Sequence, residues 1–162
     1  MYTPYCVFCY FWLSFMMTSK KNRIILIDDS PAEPILLGSA IDKSGRSILL
    51  ESFDDSVYAV KELVRRSKED KDLMPNLILL DLNMPGYSGI EVLKKLRKDK
   101  VCCFTPIIVM TSSSLDSDVV EAIREGAKCV IVKPTGHKKY IEVVQKTFDF
   151  WFETAKCIGN EC

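Results

Sequence analysis

The chain has 162 residues, 48% hydrophobic and 27% charged, with 22 basic residues against 22 acidic ones. That size and composition point to one folded domain with a substantial core and exclude a disordered chain. A formal net charge of zero excludes a broad basic footprint for nucleic acid, and the short cluster Lys20-Lys21-Asn22-Arg23 is too small to supply one.

The start of the chain differs from the rest. Met1 to Met17 carries no charge and is crowded with aromatics: Tyr2, Tyr5, Phe8, Tyr10, Phe11, Trp12 and Phe15. A membrane-spanning helix needs about twenty apolar residues, so the stretch is borderline. Lys20, Lys21 and Arg23 would hold the following domain in the cytoplasm. A secretory signal would need basic residues before the apolar run and small residues at a cleavage site, and neither is present. Three readings stay open: translation from Met16 or Met17, a membrane anchor through residues 1–19, and an arm that packs or binds a partner. The seven cysteines, Cys6, Cys9, Cys102, Cys103, Cys129, Cys157 and Cys162, are too sparse for a small disulfide scaffold. Cys6 and Cys9 form a CxxC, but no second pair stands at zinc spacing. Cys129 reads as a small core-edge residue. A reducing compartment is expected.

From there the pattern alternates between strands and helices. Arg23–Ile27 reads as a strand. Ser30 is expected to cap a helix over Pro31–Lys43, with Pro31 at its first position, Pro34 in its first turn and Gly45 past its end. Ser47–Phe53 is the next strand, and Asp54 or Asp55 caps a helix running to about Ser67. A charged loop over Lys68–Pro75 leads into a strand over Asn76–Asp81. Ser88–Arg97 is a helix with apolar Ile90, Val92, Leu93 and Leu96. Pro106–Met110 is a strand. Leu115–Glu125 is a helix with Val119, Val120 and Ile123 on one side, ended by Gly126. Lys128–Val132 is the last strand, and a final helix runs from about His137 to Thr154. Five strands alternating with five helices predict an α/β fold with a parallel sheet covered on both faces.

Chemistry gathers at the ends of four of these strands. Asp28 and Asp29 follow Ile24–Ile27, Asp81 follows Ile78–Leu80, Thr111 follows Ile107–Met110, and Lys133 follows Val130–Val132. Open α/β sheets build their sites at the carboxyl ends of strands. Taken singly, each residue has a plain explanation: the acid pair as helix-start acids, Thr111 as a turn residue, Lys133 as a solvated cation. Together they point to a carboxylate that accepts a phosphoryl group beside a divalent cation.

These residues resemble a known family. The region from about Asn22 to Trp151 is similar to a two-component receiver domain, on the strength of Asp28-Asp29, Asp81 with Met84-Pro85 and Gly89, Thr111, and Lys133-Pro134. The charged loop before the Asp81 strand and the segment Phe148-Asp-Phe-Trp-Phe152 further resemble the small single-domain regulators that pair with bacterial, especially cyanobacterial, phytochrome kinases. The resemblance implies a flavodoxin-like doubly wound sheet in the order 2-1-3-4-5. It divides the chain into an aromatic extension over 1–21, a receiver domain over 22–154 and a tail over 155–162.

It also implies the parts of the site. Asp81 would be the phosphoacceptor, and Thr111 would donate its hydroxyl to a phosphoryl oxygen. Lys133 would pair with Asp81 and then with the phosphoryl group. Mg²⁺ prefers oxygen ligands and keeps several waters. Asp29 and Asp81 would each supply one oxygen, the backbone carbonyl of Asn83 another, and Asp28 would act through water. The Lys133–Pro134 bond would be cis. Val130 stands where the family commonly has an aromatic, so the usual aromatic rotation cannot report the state. Asn83 and Ser113 occupy positions that tune phosphoryl lifetime in the family.

The expected role is a phosphoacceptor signalling protein with at most slow self-phosphorylation and autodephosphorylation. Its expected partners are a sensor histidine kinase, of phytochrome type by the subgroup resemblance, and a downstream target or phosphotransfer protein. No DNA-binding domain follows Trp151, so output is expected through protein contacts, including a homodimer, and not through nucleic acid. His137, the lone histidine, is expected to be exposed and not a phosphodonor. Two other classes compete. A haloacid-dehalogenase-type phosphohydrolase would want a second Asp where Asn83 stands and its nucleophile on the first strand. An inactive receiver serving as a binding module would lack site residues, and none is missing.

Overall fold

The computed structural model describes residues 21–98, 105–113 and 115–154. Residues 1–20 of the aromatic extension, with Cys6 and Cys9, Cys102 and Cys103, and the tail over 155–162 with Cys157 and Cys162 lie outside the described residues. Five strands form one sheet: β1 (Asn22–Ile27), β2 (Ile48–Phe53), β3 (Leu77–Leu80), β4 (Ile107–Thr111) and β5 (Cys129–Val132). All neighbours pair in parallel, in the order β2-β1-β3-β4-β5. Five helices connect and follow them: α1 (Glu33–Ser44), α2 (Ser56–Glu69), α3 (Gly89–Lys98), α4 (Asp116–Arg124) and α5 (His137–Phe148). This is the flavodoxin-like arrangement that the resemblance implies.

The sheet is buried on both faces because its central strands are apolar throughout. Ile25, Ile27, Ile78, Leu80, Ile107 and Val109 point into one core with Leu63, Val92 and Leu96. Ile24, Leu26, Leu77, Leu79, Ile108 and Met110 point into the other with Leu37, Ile41, Val144 and Phe148. Adjacent residues of one strand thus feed opposite cores, as a period of two requires.

The helix starts differ in how they are satisfied. Asp55 caps α2, accepting the N–H groups of Val57 at 2.8 Å and Tyr58 at 2.9 Å. Ser88 and Glu91 form a reciprocal capping box before α3, with Ser88 N–H on Glu91 Oε2 at 2.9 Å and Glu91 N–H on Ser88 Oγ at 3.3 Å. The expected cap at Ser30 does not form. Its N–H is drawn to Asp28 Oδ1 at 2.9 Å, and its carbonyl accepts Glu33 N–H at 3.2 Å, so a turn intervenes. The helix therefore begins at Glu33 with Pro34, not Pro31, in its first positions. Gly45 closes α1 in the left-handed conformation, as expected.

Four further expectations need correction. The loop after α2 contains a 3₁₀ turn, Lys71–Leu73. On α4, Val120 and Ile123 are 55% and 48% exposed instead of packed, and Ala122 is the buried residue of that helix. The reason lies in the sheet: β5 is an edge strand whose residues are only partly buried, so α4 has little apolar surface to cover. The last helix is not uniform either. It stays α-helical to Phe148 and widens into a π-helical segment over Asp149–Thr154. Arg46 holds that segment through Asp149 and Glu153, while Trp151 and Phe152 lean on the second core. Every peptide bond among the described residues is trans, so Lys133–Pro134 is not the cis bond that the resemblance implies.

Candidate functional site

The site stands where the sheet ladder runs out. Asp28 N–H still bonds the Phe53 carbonyl at 3.0 Å, Asp81 N–H the Ile27 carbonyl at 2.9 Å, and Lys133 N–H the Thr111 carbonyl at 2.8 Å. Backbone hydrogen bonds thus fix the acid of β1, the acid of β3 and the lysine of β5 at one rim. Side chains of residues so anchored have little freedom except toward one another.

They converge on the Lys133 ammonium. It donates to Asp28 Oδ2 at 2.6 Å and lies 3.3 Å from Asp81 Oδ1. Asp28 is 3% exposed and Asp81 6%. Two buried carboxylates that close would repel strongly in a region of low dielectric, and a shared cation is what makes the arrangement tenable. Burial pushes the Asp81 carboxyl above its ordinary value. Lys133 and the Asn83 N–H, which reaches Asp81 Oδ2 at 2.8 Å, work against that rise, and Asp28 adds to it. Burial would pull the Lys133 ammonium down, but Asp28, Asp81 and Glu33 together hold it above its usual value.

The other expected residues take distinct positions. Thr111 is fully buried at the end of β4, and its Oγ1 accepts Ser113 N–H at 3.0 Å. Ser113 in turn donates to Asp118 Oδ2 at 2.6 Å, which joins that loop to the start of α4. Asp29 and Asn83 are exposed at the mouth of the site. His137 is exposed, as expected, with Nε2 3.5 Å from Ser39 Oγ.

The loop after Asp81 is shaped by two glycines and a serine. Gly86 adopts a φ of 81° that suits glycine. A Cβ at Gly89 would stand 2.2 Å from the Asp81 carbonyl oxygen and 2.7 Å from the Leu82 Cα, so the start of α3 approaches the acid's own backbone as only glycine allows. Ser56, fully buried at the start of α2, donates to the Pro85 carbonyl at 3.1 Å and accepts Tyr87 N–H at 2.9 Å. Sequence reasoning missed Ser56, because nothing near it in the chain signals the loop 30 residues downstream.

It also missed Glu33. This side chain is buried, lies 3.6 Å from Lys133 Nζ through Oε2, and accepts the Tyr140 hydroxyl on Oε1 at 2.7 Å. The signal that could have found it is an acid in the first turn of the helix that follows the acid pair.

A divalent cation can be tested against the donors present. No group of three or more His, Cys, Asp or Glu side chains close enough to hold a metal ion occurs among the described residues. The rim instead offers two convergent buried carboxylates, with exposed Asp29 and the exposed Asn83 backbone beside them. An all-oxygen set with an open, wet side suits Mg²⁺, which takes few protein ligands and keeps its waters. The residues fit such an ion.

The family model for the response regulator receiver domain matches residues 24–145. The chain belongs to the response regulator receiver family. Response regulator Rcp1 of Synechocystis is 30% identical over 141 residues, covering 85% of this chain and 96% of that protein. The crystal structure of the phosphorylated cyanobacterial phytochrome response regulator RcpA superposes with a TM-score of 0.76 at 26% identity, covering 86% of this chain and 99% of that one. The Mn²⁺-bound form of Rcp1 superposes with a TM-score of 0.75 at 29% identity, covering 85% and 99%. The receiver is thus a member of a family of two-component signalling proteins whose relatives bind divalent metal. No helix among its described residues is long and apolar enough to cross a membrane.

Proposed function

We propose that this receiver takes a phosphoryl group from a sensor histidine kinase onto Asp81 and signals by protein contacts. The observation that carries this reading is the convergence of Asp28, Asp81 and Lys133 at adjoining strand ends, with Lys133 Nζ at 2.6 Å and 3.3 Å from the two acids. One Asp81 oxygen attacks phosphorus in line. A P–O bond forms as the P–N bond to the kinase imidazole breaks, and the departing nitrogen keeps the electron pair and takes a proton. Such transfer depends on positioning and charge neutralisation more than on covalent help. Asp28, Asp29, Asp81 and the Asn83 carbonyl would hold Mg²⁺, which when bound supplies positive charge against the entering phosphoryl oxygens. Lys133 leaves its resting partners to pair with the phosphoryl group, and the Thr111 hydroxyl turns to donate to it.

Partners follow from the same reading. The likeness to the cyanobacterial phytochrome response regulator RcpA supports a phytochrome-type kinase. The exposed apolar residues Leu115, just before α4, Val120 and Ile123 on α4, and Val132 on the β5 edge support output through a homodimer or a downstream protein. The basic flank at Lys20, Lys21 and Arg23 supports a cytoplasmic setting. Incubation with Mg²⁺ and acetyl phosphate, followed by intact mass, tests the site: one phosphate adduct is expected, absent from Asp81→Asn. An adduct retained in that variant would contradict the assignment.

A further inference from the structure

Three buried carboxylates, Asp28, Asp81 and Glu33, surround the Lys133 ammonium, yet the phosphoacceptor reading uses only the first two. Glu33 is the surplus. A buried acid in the first turn of a helix is favoured there by the helix dipole, but this one is 6% exposed and must be paired to be tolerated. Its two oxygens are divided: Oε2 faces the Lys133 ammonium at 3.6 Å and Oε1 accepts the Tyr140 hydroxyl at 2.7 Å. Tyr140 lies on α5, 107 residues away in sequence, and is 3% exposed. A polar line therefore runs from Asp81 through Lys133 and Glu33 to a buried tyrosine of the last helix. Burial, and then the bond to Glu33, keep the Tyr140 phenol protonated well above its ordinary range, so it remains a donor.

The line thus ties the rim of the sheet to an outer helix. We infer that Glu33 and Tyr140 are positioning residues: beside Asp28 at 2.6 Å and Asp81 at 3.3 Å, Glu33 helps to hold Lys133 in its resting place, and Tyr140 carries the lysine's release to α5. The inference rests on the Asp81 reading above. A phosphoryl group on Asp81 attracts the ammonium away from Glu33. Glu33 then has one remaining partner, Tyr140, and the hydrogen bond between them tightens. The carboxylate also opposes loading, both by retaining Lys133 and by repelling the anionic donor. The tyrosine's helix continues into the π-helical segment that bears Trp151 and Phe152, so a shift at Tyr140 has a direct route to the aromatic end of the fold.

The full chain labelled at the tyrosine ζ-carbon tests this. The Tyr140 resonance is assigned by its loss in Tyr140→Phe, and acetyl phosphate with Mg²⁺ supplies the phosphoryl group. The Tyr140 resonance is expected to move as the phosphate adduct accumulates. Glu33→Gln keeps an oxygen for the tyrosine but removes the charge, and is expected to load roughly three- to tenfold faster, with a smaller Tyr140 shift on loading. A Tyr140 resonance unchanged in a fully phosphorylated sample, or a Glu33→Gln variant that loads at the wild-type rate, overturns the inference while leaving Asp81 as the acceptor. A wild-type chain that takes no phosphate overturns both.

Discussion

At the residue scale the site is a set of groups held against their own preferences. Asp81 is the clearest case, since burial raises its carboxyl above the ordinary value. A carboxyl that ionises at higher pH when folded than when unfolded binds more protons in the folded state across that window. Its contribution to stability is therefore greatest at low pH and declines as pH rises from the unfolded value through the folded one. Asp81→Asn removes that burden and keeps an oxygen for the Asn83 N–H. It is expected to stabilise the fold by about 1 kcal/mol at neutral pH. The gain should shrink as pH falls and the native carboxyl becomes neutral too. Urea unfolding at several pH values checks this, and a loss of stability at neutral pH would contradict it.

Gly89 is held for a different reason, the 2.2 Å between its missing Cβ and the Asp81 carbonyl oxygen. Both neighbours are backbone and cannot swing aside. Gly89→Ala is expected to cost about 2–3 kcal/mol and to slow phosphate loading as well, because relief displaces the Asp81–Leu82 backbone or the start of α3 beside it. Thermal melts and adduct formation measured on one preparation check both effects. A variant as stable and as fast as wild type would show that the loop yields freely.

At the element scale, strands were more legible than helix faces. The runs Ile24–Ile27, Ile78–Leu80 and Ile107–Met110 are short and apolar throughout, and the structure buries them on both sides. The start of α1 departs from the expectation because the Ser30 carbonyl closes a turn on Glu33 N–H while Asp28 holds Ser30 N–H, a local arrangement that a capping rule does not anticipate. The face of α4 was misread for a wider reason. Val119, Val120 and Ile123 are spaced as a core stripe, but burial depends on what the sheet presents, and an edge strand presents little. What periodicity marks as core is here a half-exposed apolar surface. Ile123→Glu is accordingly expected to change stability by no more than about 0.5 kcal/mol while weakening self-association of the phosphorylated chain. Sedimentation of loaded wild type and variant decides it. A large stability loss would mean that the residue is packed after all.

At the scale of the whole molecule, topology turns scattered residues into a site. Asp28, Asp81, Thr111 and Lys133 are spread over more than a hundred positions, yet the parallel order β2-β1-β3-β4-β5 delivers every strand end to one rim. That is why the acids and the lysine were legible in the sequence: each directly follows an apolar strand. Glu33, Tyr140 and Ser56 were not, because they lie on helices, and which helical side chain reaches the rim depends on packing between elements far apart in the chain. The division follows a physical rule. Period-two strands declare their ends locally, whereas helix faces are chosen by tertiary contact.

The central claim is that Asp81, neutralised by Lys133, is the phosphoacceptor. Intact mass after exposure to acetyl phosphate and Mg²⁺, with wild type and Asp81→Asn treated side by side, tests it most directly. The account predicts a single acid-labile phosphate on the wild type and none on the variant. Equal labelling of the two, or no labelling of either, would contradict it.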